Sequence, residues 1–299
     1  MNKYLLKKFF WNFFKLGQSV GVDILPRHFY SEIPNIRELE KTNWWRQKYN
    51  VEALGFESLN QQIANFNSIF NNKPIVSKKI HHEAVINNGA EGYGQIESAI
   101  LYHFIKKVMP KKIVQVGCGV TTSVILNALN GFNAEIICVE PYPGPYLTRM
   151  NECGNIQLIK NKIQNIENIS AILNECDLFF VDSTHTLGPA GEVSRIILEY
   201  LPMLKCGAFA HFHDIYFPFD YQSGILNANI FFQHESVLLQ AFLSFNSKFH
   251  LYFSSSMIFH ENIETFNNTF CDFKARVMDL GIEIKNGHFP SSCFIQKVE

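Results

Sequence analysis

The chain has 299 residues and a formal net charge of -1, so it has no basic field that would attract nucleic acid. Hydrophobic residues make up 47% of it and charged residues 18%, which is enough apolar surface for a packed core and excludes global disorder. No apolar run reaches the roughly 18 residues that a membrane-spanning helix needs.

The seven cysteines indicate a reducing compartment. None of them belongs to a C-x-x-C pair, and Cys138 and Cys293 lie inside apolar runs. This usage is typical of buried free thiols rather than of a disulfide framework or a zinc site. We therefore expect a cytoplasmic protein.

An N-terminal helix is the first element that the sequence predicts. Leu5, Phe9, Phe13 and Leu16 recur at helical spacing, with lysines between them. The pattern fits a helix that packs on its own domain or on a second subunit of a homo-oligomer. It also fits peripheral attachment to a membrane surface.

Residues 1–85 differ in pattern from the rest of the chain. They hold helical patterns, the pair Trp44-Trp45 and an Asn/Gln-rich stretch at 60–72, with no strand alternation. We expect a mainly helical N-terminal extension or cap over 1–85 and a catalytic domain over 86–299. A loop around 71–74 precedes that domain.

From about residue 95, helices alternate with short apolar strands. Strands are predicted at 113–117, 135–140, 156–160, 177–182, 207–214, 249–255 and 292–298. Helices are predicted at 96–108, 121–129, 192–204 and 235–245, with one more ending at 173. This alternation predicts an α/β fold with a Rossmann-like, seven-stranded, mostly parallel sheet flanked by helices. The last two strands are expected to form a hairpin-like pair.

A glycine turn follows the first strand. Gly117-Cys118-Gly119 lets the backbone bend sharply toward a ligand, and the next helix presents free N–H groups there. Glu140 ends the second strand, where a carboxylate can accept hydrogen bonds from both hydroxyls of a ribose. The third glycine of the dinucleotide fingerprint is replaced by Thr122, which counts against NAD.

Polar residues end the fourth and fifth strands. Asp182 and His185 follow the fourth strand, and His213 and Asp214 close the fifth. Because these strands should be neighbours, we expect Asp182 and Asp214 to face one another across a few ångströms. Two such carboxylates repel unless a proton or a cation lies between them, and oxygen ligands favour Mg²⁺. His211 should point to the opposite face of the sheet, outside the site.

The glycine turn and the acid after it resemble the motifs of class I S-adenosylmethionine (SAM)-dependent methyltransferases. The resemblance implies SAM as cofactor, with the ribose held by Glu140 and the methionine half by Gly117, Cys118 and Gly119. Further cofactor contacts are expected from Thr121, Gln164, Asp182 and Glu97. Of these, Gln164 would lie beside the adenine, and Glu97 would reach the methionine amine or be an exposed helix carboxylate.

The D-x-x-H motif at 182–185 is similar to that of metal-dependent, macrocin-type sugar and natural-product O-methyltransferases. The segments at 28–34 and 211–221 look like those of methyltransferases from bacterial polysaccharide clusters. The resemblance implies Asp182 and Asp214 as Mg²⁺ ligands, with His213 in place of an acid, and His185 as general base. The acceptor would be a hydroxyl group of a small molecule or saccharide.

Three other classes remain open at this point. One is a non-catalytic SAM-fold binding or interaction module, which would not need the polar residues after the fourth and fifth strands. Another is a metal-dependent oxygenase with His185, His213 and Asp214 as its two-histidine, one-carboxylate site. The third is a nicotinamide-dependent dehydrogenase, against which the missing glycine argues.

Overall fold

The chain divides into two compact units, residues 1–43 and 44–299. The structure, a computed structural model, describes residues 3–31, 33–39, 41–42, 48–49, 58–221, 232–273, 277–278, 281–282 and 290–299. The Trp44-Trp45 pair and residue 32 of the 28–34 motif lie outside the described residues. Among the helices described, none is both long and apolar enough to cross a bilayer.

In the described part of the first unit the helices are α1 (Lys3–Ser19) and α2 (Ile36–Leu39). The second unit holds the remaining helices. These are α3 (Leu59–Ile69), α4 (Lys78–Asn88), α5 (Gln95–Val108), α6 (Val120–Ala128), α7 (Pro145–Glu152), α8 (Ile169–Asn174), α9 (Glu192–Arg195), α10 (Glu235–Leu243), α11 (Ser255–Glu261) and α12 (Ile263–Thr269).

A seven-stranded sheet forms the centre of the second unit. Its strands are β1 (Lys112–Val116), β2 (Glu135–Val139), β3 (Gln157–Ile159), β4 (Leu178–Val181), β5 (Phe209–Phe212), β6 (Phe249–Ser254) and β9 (Cys293–Lys297). The order is β3-β2-β1-β4-β5-β9-β6, and β9 runs antiparallel to both of its neighbours, β5 and β6. This is the Rossmann strand order with one antiparallel strand inserted before the last. The predicted fold class is confirmed. Two short strands, β7 (Val277–Met278) and β8 (Gly281–Ile282), pair separately.

The central strands β1, β4 and β5 are buried on both faces, which explains their nearly continuous apolar sequences. In β4, Phe180 packs into the core on one side of the sheet, and Phe179 and Val181 pack into the core on the other side. Helix α5 covers the first side with Ile100 and Phe104. The sheet is therefore a rigid support for residues that follow its strands.

The register of the central strands brings the predicted site residues to one edge. Val116 of β1 pairs with Val181 of β4, which pairs with Phe212 of β5. Gly117, Asp182 and His213 directly follow those three strand-end residues. In parallel strands these positions are neighbours, as the sequence predicted.

Helices α3 and α4 belong to the second unit, although the prediction places them in an extension that ends at residue 85. α3 packs against β6 and α5, and α4 packs against α5 and α6. Phe66 of α3 is completely buried in the main core. The compact unit that contains both helices begins at residue 44.

One predicted helix is only partly an α-helix, and some helices of the structure were not predicted. The helix predicted over 192–204 is α9, a π turn over Ile196–Tyr200 and a 3-10 turn over Leu201–Met203. Pro202 cannot donate an α-helical hydrogen bond, which fits this change at the end. Helix α7 was missed, although Pro145 at its first position is a known start signal.

The Asp272 side chain caps the N-terminus of α4, although Asp272 is distant from that helix in sequence. Its carboxylate accepts hydrogen bonds from the backbone N–H groups of Ser77 and Lys78, at 2.9 and 2.7 Å, and from the Ser77 hydroxyl. Burial alone would raise the pKa of Asp272, but these hydrogen bonds outweigh it and lower that pKa.

We expect Asp272→Ala to lower the free energy of unfolding by about 0.5–1 kcal/mol, because the N-terminal N–H groups of α4 lose their acceptor. The carboxylate is partly exposed, so solvent screening keeps the effect in this lower range. Urea denaturation measures it. Asp23→Ala, at an exposed acid in the loop after α1, is the control. Equal stability of the two variants would contradict the capping role.

Candidate active site

The glycine turn after β1 is fixed by its contact with the end of β4. Gly117 has a φ of +78°, and a Cβ atom there would lie 1.7 Å from the carbonyl oxygen of Asp182. No side chain fits in that space. Gly117 therefore allows the backbones after β1 and β4 to approach closely.

A cleft of about 230 Å³ opens over this turn. Six residues that the sequence predicted as cofactor-binding line it: Gly117, Cys118, Gly119, Thr121, Glu140 and Asp182. Asn88, Glu91, Gly92 and Tyr93 line it as well. Sequence reasoning missed these four, although the repeated glycines at 89–94 were a signal for a loop that approaches a ligand.

Glu140 is held against the glycine turn. The backbone N–H of Cys118 donates to Glu140 Oε2 at 3.3 Å, and the N–H of Tyr142 donates to Oε1 at 3.0 Å. These contacts place the carboxylate in the lining of the cleft, where a ribose hydroxyl can reach it.

Gln164 and Glu97 are not among the residues that line the cleft. The side-chain amide of Gln164 donates to the carbonyl of Ala190 at 3.4 Å. Glu97 is only 2% exposed, and it accepts hydrogen bonds from the hydroxyls of Ser291 and Ser292. The alternative of an exposed helix carboxylate at Glu97 is therefore wrong, and a role in SAM binding stays a prediction for both residues.

Two imidazoles lie between the two aspartates that the sequence placed face to face. His213 Nδ1 is 3.2 Å from Asp182 Oδ1 and 3.6 Å from Asp214 Oδ1. His185 Nε2 is 3.4 Å from Asp182 Oδ1 and 3.8 Å from Asp214 Oδ2. We call these four residues the polar cluster. Asp182 also lines the cleft, so the cluster adjoins it.

A buried glutamate holds the outer nitrogen of each imidazole. His185 Nδ1 lies 2.6 Å from Glu235 Oε2, and His213 Nε2 lies 3.0 Å from Glu97 Oε2. Glu235 begins α10 and is completely buried. A carboxylate on the outer nitrogen fixes the ring and its tautomer, so that the inner nitrogen faces the cluster. Sequence reasoning missed Glu235; a charge in the apolar segment 235–243 was the available signal.

The charges in the polar cluster shift its pKa values. Burial alone would raise the pKa of Asp182, but His213 and His185 hold it well below its usual range. Burial alone would lower the pKa of His185, but hydrogen bonds to Asp182 and Glu235 and the charge of Asp214 raise it to about 10. Burial raises the pKa of Glu235 despite its hydrogen bond to His185.

Two cluster residues have unusual backbone conformations. His185 and Asp214 have φ values of +59° and +53°, in the left-handed region that non-glycine residues rarely adopt. Such conformations cost energy and occur preferentially at functional sites. The backbone N–H groups of His234 and Glu235 donate to the carbonyl of His185, which holds this turn against the start of α10.

The donor set of the cluster is compatible with a divalent cation. Asp182, His185 and His213 each present a ligating atom, and these atoms lie within 4.8 Å of one another. Two imidazole nitrogens and a carboxylate suit a transition metal, whereas Mg²⁺ prefers oxygen ligands only. The donor set therefore fits a cation but does not favour the expected Mg²⁺.

His211 packs away from the cluster, as its position in β5 predicted. Its ring stacks on Phe180 with centroids 4.4 Å apart, and Nε2 lies 3.2 Å from the Tyr93 hydroxyl. Burial holds the pKa of His211 well below the usual histidine value. Tyr216 and Tyr221, which follow β5, are buried.

Residues 114–215 match the methyltransferase domain family. The chain carries a methyltransferase domain. The matched segment runs from β1 to just beyond β5 and includes the glycine turn, Glu140 and the polar cluster. Together with the strand order, it confirms the predicted class I SAM-dependent methyltransferase; the macrocin-type subtype stays a prediction. The dehydrogenase and oxygenase alternatives find no support in this family.

Several known proteins are similar to the methyltransferase chain at low identity. An uncharacterised protein of Archaeoglobus fulgidus is 27% identical over 166 residues, which are 51% of this chain and 74% of that protein. A SAH-bound methyltransferase of Podospora anserina is 14% identical over 93% of this chain and 99% of its own, with a TM-score of 0.40. The SAM-bound O-methyltransferase TomG of Streptomyces achromogenes, involved in tomaymycin synthesis, is 11% identical over 91% and 100%, with a TM-score of 0.42.

Proposed function

We propose that the methyltransferase domain transfers a methyl group from SAM to a hydroxyl group of a small molecule or saccharide. The observation that carries this proposal is the position of Asp182. It lines the cleft over the glycine turn and also contacts both imidazoles of the polar cluster. A methyl donor in the cleft would therefore lie beside groups that can deprotonate an alcohol.

Residues of the cleft support SAM rather than a dinucleotide as its ligand. The position of the third fingerprint glycine is filled by Thr122, which is completely buried. Its hydroxyl accepts a hydrogen bond from the Gly119 N–H at 3.2 Å and donates to Gln115 Oε1 at 2.9 Å. This side chain fills space that a dinucleotide fingerprint leaves for helix–strand packing. Glu140 remains available to a ribose.

In the proposed reaction, His185 acts as the general base. The hydroxyl proton passes to His185 Nε2 as the alcohol oxygen bonds to the methyl carbon and the carbon–sulfur bond breaks. The products are the methyl ether and S-adenosylhomocysteine. Glu235 on Nδ1 keeps the ring oriented and stabilises the imidazolium that forms. In-line positioning of oxygen, carbon and sulfur supplies much of the rate.

We further propose that Asp182, His213 and Asp214 hold a divalent cation beside His185. Four carboxylates, those of Asp182, Asp214, Glu97 and Glu235, surround two imidazoles, so the group carries excess negative charge even if both imidazoles are protonated. When bound, a cation would lower the pKa of the substrate hydroxyl and offset the negative charge that favours protonated His185.

Calorimetry with SAM and with NAD tests the cofactor assignment. We expect the wild-type protein to bind SAM and not NAD. Glu140→Ala should weaken SAM binding roughly 100-fold or more, because two hydrogen bonds to a charged acceptor are lost. Glu152→Ala, at an exposed acid at the end of α7, is the matched control. Preferential NAD binding, or unchanged SAM affinity in Glu140→Ala, would contradict the assignment.

A further inference from the structure

Helix α1 presents a row of apolar side chains to solvent. Leu5, Phe9, Phe13 and Leu16, which we call the apolar stripe, are between 42% and 63% exposed. Their spacing places them on one side of the helix, and the Phe9 and Phe13 rings stack with centroids 6.0 Å apart. The stripe is therefore continuous along the helix.

The apolar stripe is part of a larger exposed apolar surface. No large apolar side chain is buried in the described part of residues 3–42. Twelve large hydrophobic residues are exposed between positions 5 and 33: Leu5, Phe9, Trp11, Phe13, Leu16, Val20, Val22, Ile24, Leu25, Phe29, Tyr30 and Ile33. Apolar surface this extensive marks an interaction site.

The charge on α1 identifies the kind of surface that would cover the stripe. Lys7, Lys8 and Lys15 are exposed. At 100° per residue, Lys8 and Lys15 flank the Leu5 edge of the stripe, and Lys7 lies on the opposite side of the helix. The first carboxylate in the chain is Asp23. The helix is thus purely cationic, and lysine side chains can extend beside an apolar face to reach anionic groups.

We propose that α1 lies flat on an anionic lipid surface, with the stripe at the acyl boundary and the lysines at lipid phosphates. Its 17 residues are too few and too charged to span a bilayer. A second copy of the chain is a poorer occupant, because two paired α1 helices would bring lysines together without a carboxylate on either helix. The inference is independent of the proposed methyl transfer.

Vesicle flotation with the full-length protein tests this proposal. We expect binding to vesicles that contain phosphatidylglycerol, weak binding to phosphatidylcholine alone, and a loss of binding as salt rises. Lys7→Gln/Lys8→Gln should weaken binding roughly 25-fold, at roughly 5-fold per lysine. The matched control is Lys106→Gln/Lys107→Gln, a pair of exposed consecutive lysines on α5.

A second variant tests the apolar contribution. Phe9→Ser/Phe13→Ser should abolish flotation while leaving SAM affinity at the wild-type value, because both side chains are exposed and removing them does not disturb a core. Phe245→Ser, at an exposed phenylalanine after α10, is its control.

Either of two results would overturn the proposal. One is vesicle binding that is absent, or that does not change with lipid charge or with the phenylalanine substitutions. The other is a dimer in light scattering that Phe9→Ser/Phe13→Ser converts to monomer without a change in vesicle binding, which would assign the stripe to a second copy.

Discussion

Gly117→Ala should remove both SAM binding and methyl transfer. The added Cβ would lie 1.7 Å from the Asp182 carbonyl oxygen, so the backbone after β1 or after β4 must move. A φ of +78° adds strain of about 1 kcal/mol for an L-residue. Because the cleft and the polar cluster share this contact, a shift of about 1 Å costs roughly 100-fold or more in turnover. Calorimetry with SAM and a methyl-transfer assay measure the two losses.

Alanine substitutions at two other glycines are controls that show whether the loss in Gly117→Ala is specific to position 117. A Cβ at Gly188 meets nothing within 4 Å, so Gly188→Ala should behave as wild type. A Cβ at Gly119 meets the Asn88 amide at 3.3 Å, and that side chain can move, so Gly119→Ala should lose less than Gly117→Ala. Native SAM affinity in Gly117→Ala would show that the turn tolerates displacement and would contradict its proposed role.

The sequence predicted the parts of the site that depend on strand order. Apolar runs identify β1, β4 and β5, and parallel strands end at a common edge. The proximity of Gly117, Asp182 and His213 therefore follows from the positions of those residues after their strands. The glycine turn and Glu140 likewise carry a local signal, since their spacing is set by one strand–helix–strand unit.

The parts that the sequence did not predict depend on contacts between distant segments. Glu235 reaches His185 from a helix 50 residues further along the chain. Ser291 and Ser292 reach Glu97 across more than 190 residues. No periodicity records such a pairing, because each of these residues looks like an ordinary end of a helix or strand. The two aspartates and both imidazoles were therefore expected in one site, but the glutamates on the outer imidazole nitrogens were not.

The polar cluster and the buried glutamates on its outer imidazole nitrogens differ in their distance from the expected reaction space. One shared space is lined by the two aspartates of the cluster and by the inner nitrogens of His185 and His213. The Glu235 carboxylate lies behind His185, on its outer nitrogen. Substitutions should therefore affect turnover to different extents, according to whether they remove a group in the space or one behind it.

His185→Ala should lower kcat roughly 100- to 10,000-fold, the range lost with a general base. Asp182→Asn should also lose methyl transfer, and both variants should keep their SAM binding because the glycine turn and Glu140 are unchanged.

Glu235→Gln should lower kcat roughly 10- to 100-fold with little change in the KM for SAM, since it removes the charge that orients His185 and keeps the size of the side chain. Methyl transfer from labelled SAM measures kcat, and calorimetry measures binding.

Matched controls distinguish a chemical loss from a structural one. His82→Ala removes an exposed histidine of α4, and Glu152→Gln removes an exposed charge of α7, so both should turn over normally. Normal turnover in His185→Ala would show that the base is wrongly assigned. A loss in Glu235→Gln that appears equally in SAM affinity would mean that Glu235 maintains the fold around the cleft. A loss confined to kcat would support a role through the imidazole, since the buried Glu235 carboxylate lies 2.6 Å from His185 Nδ1.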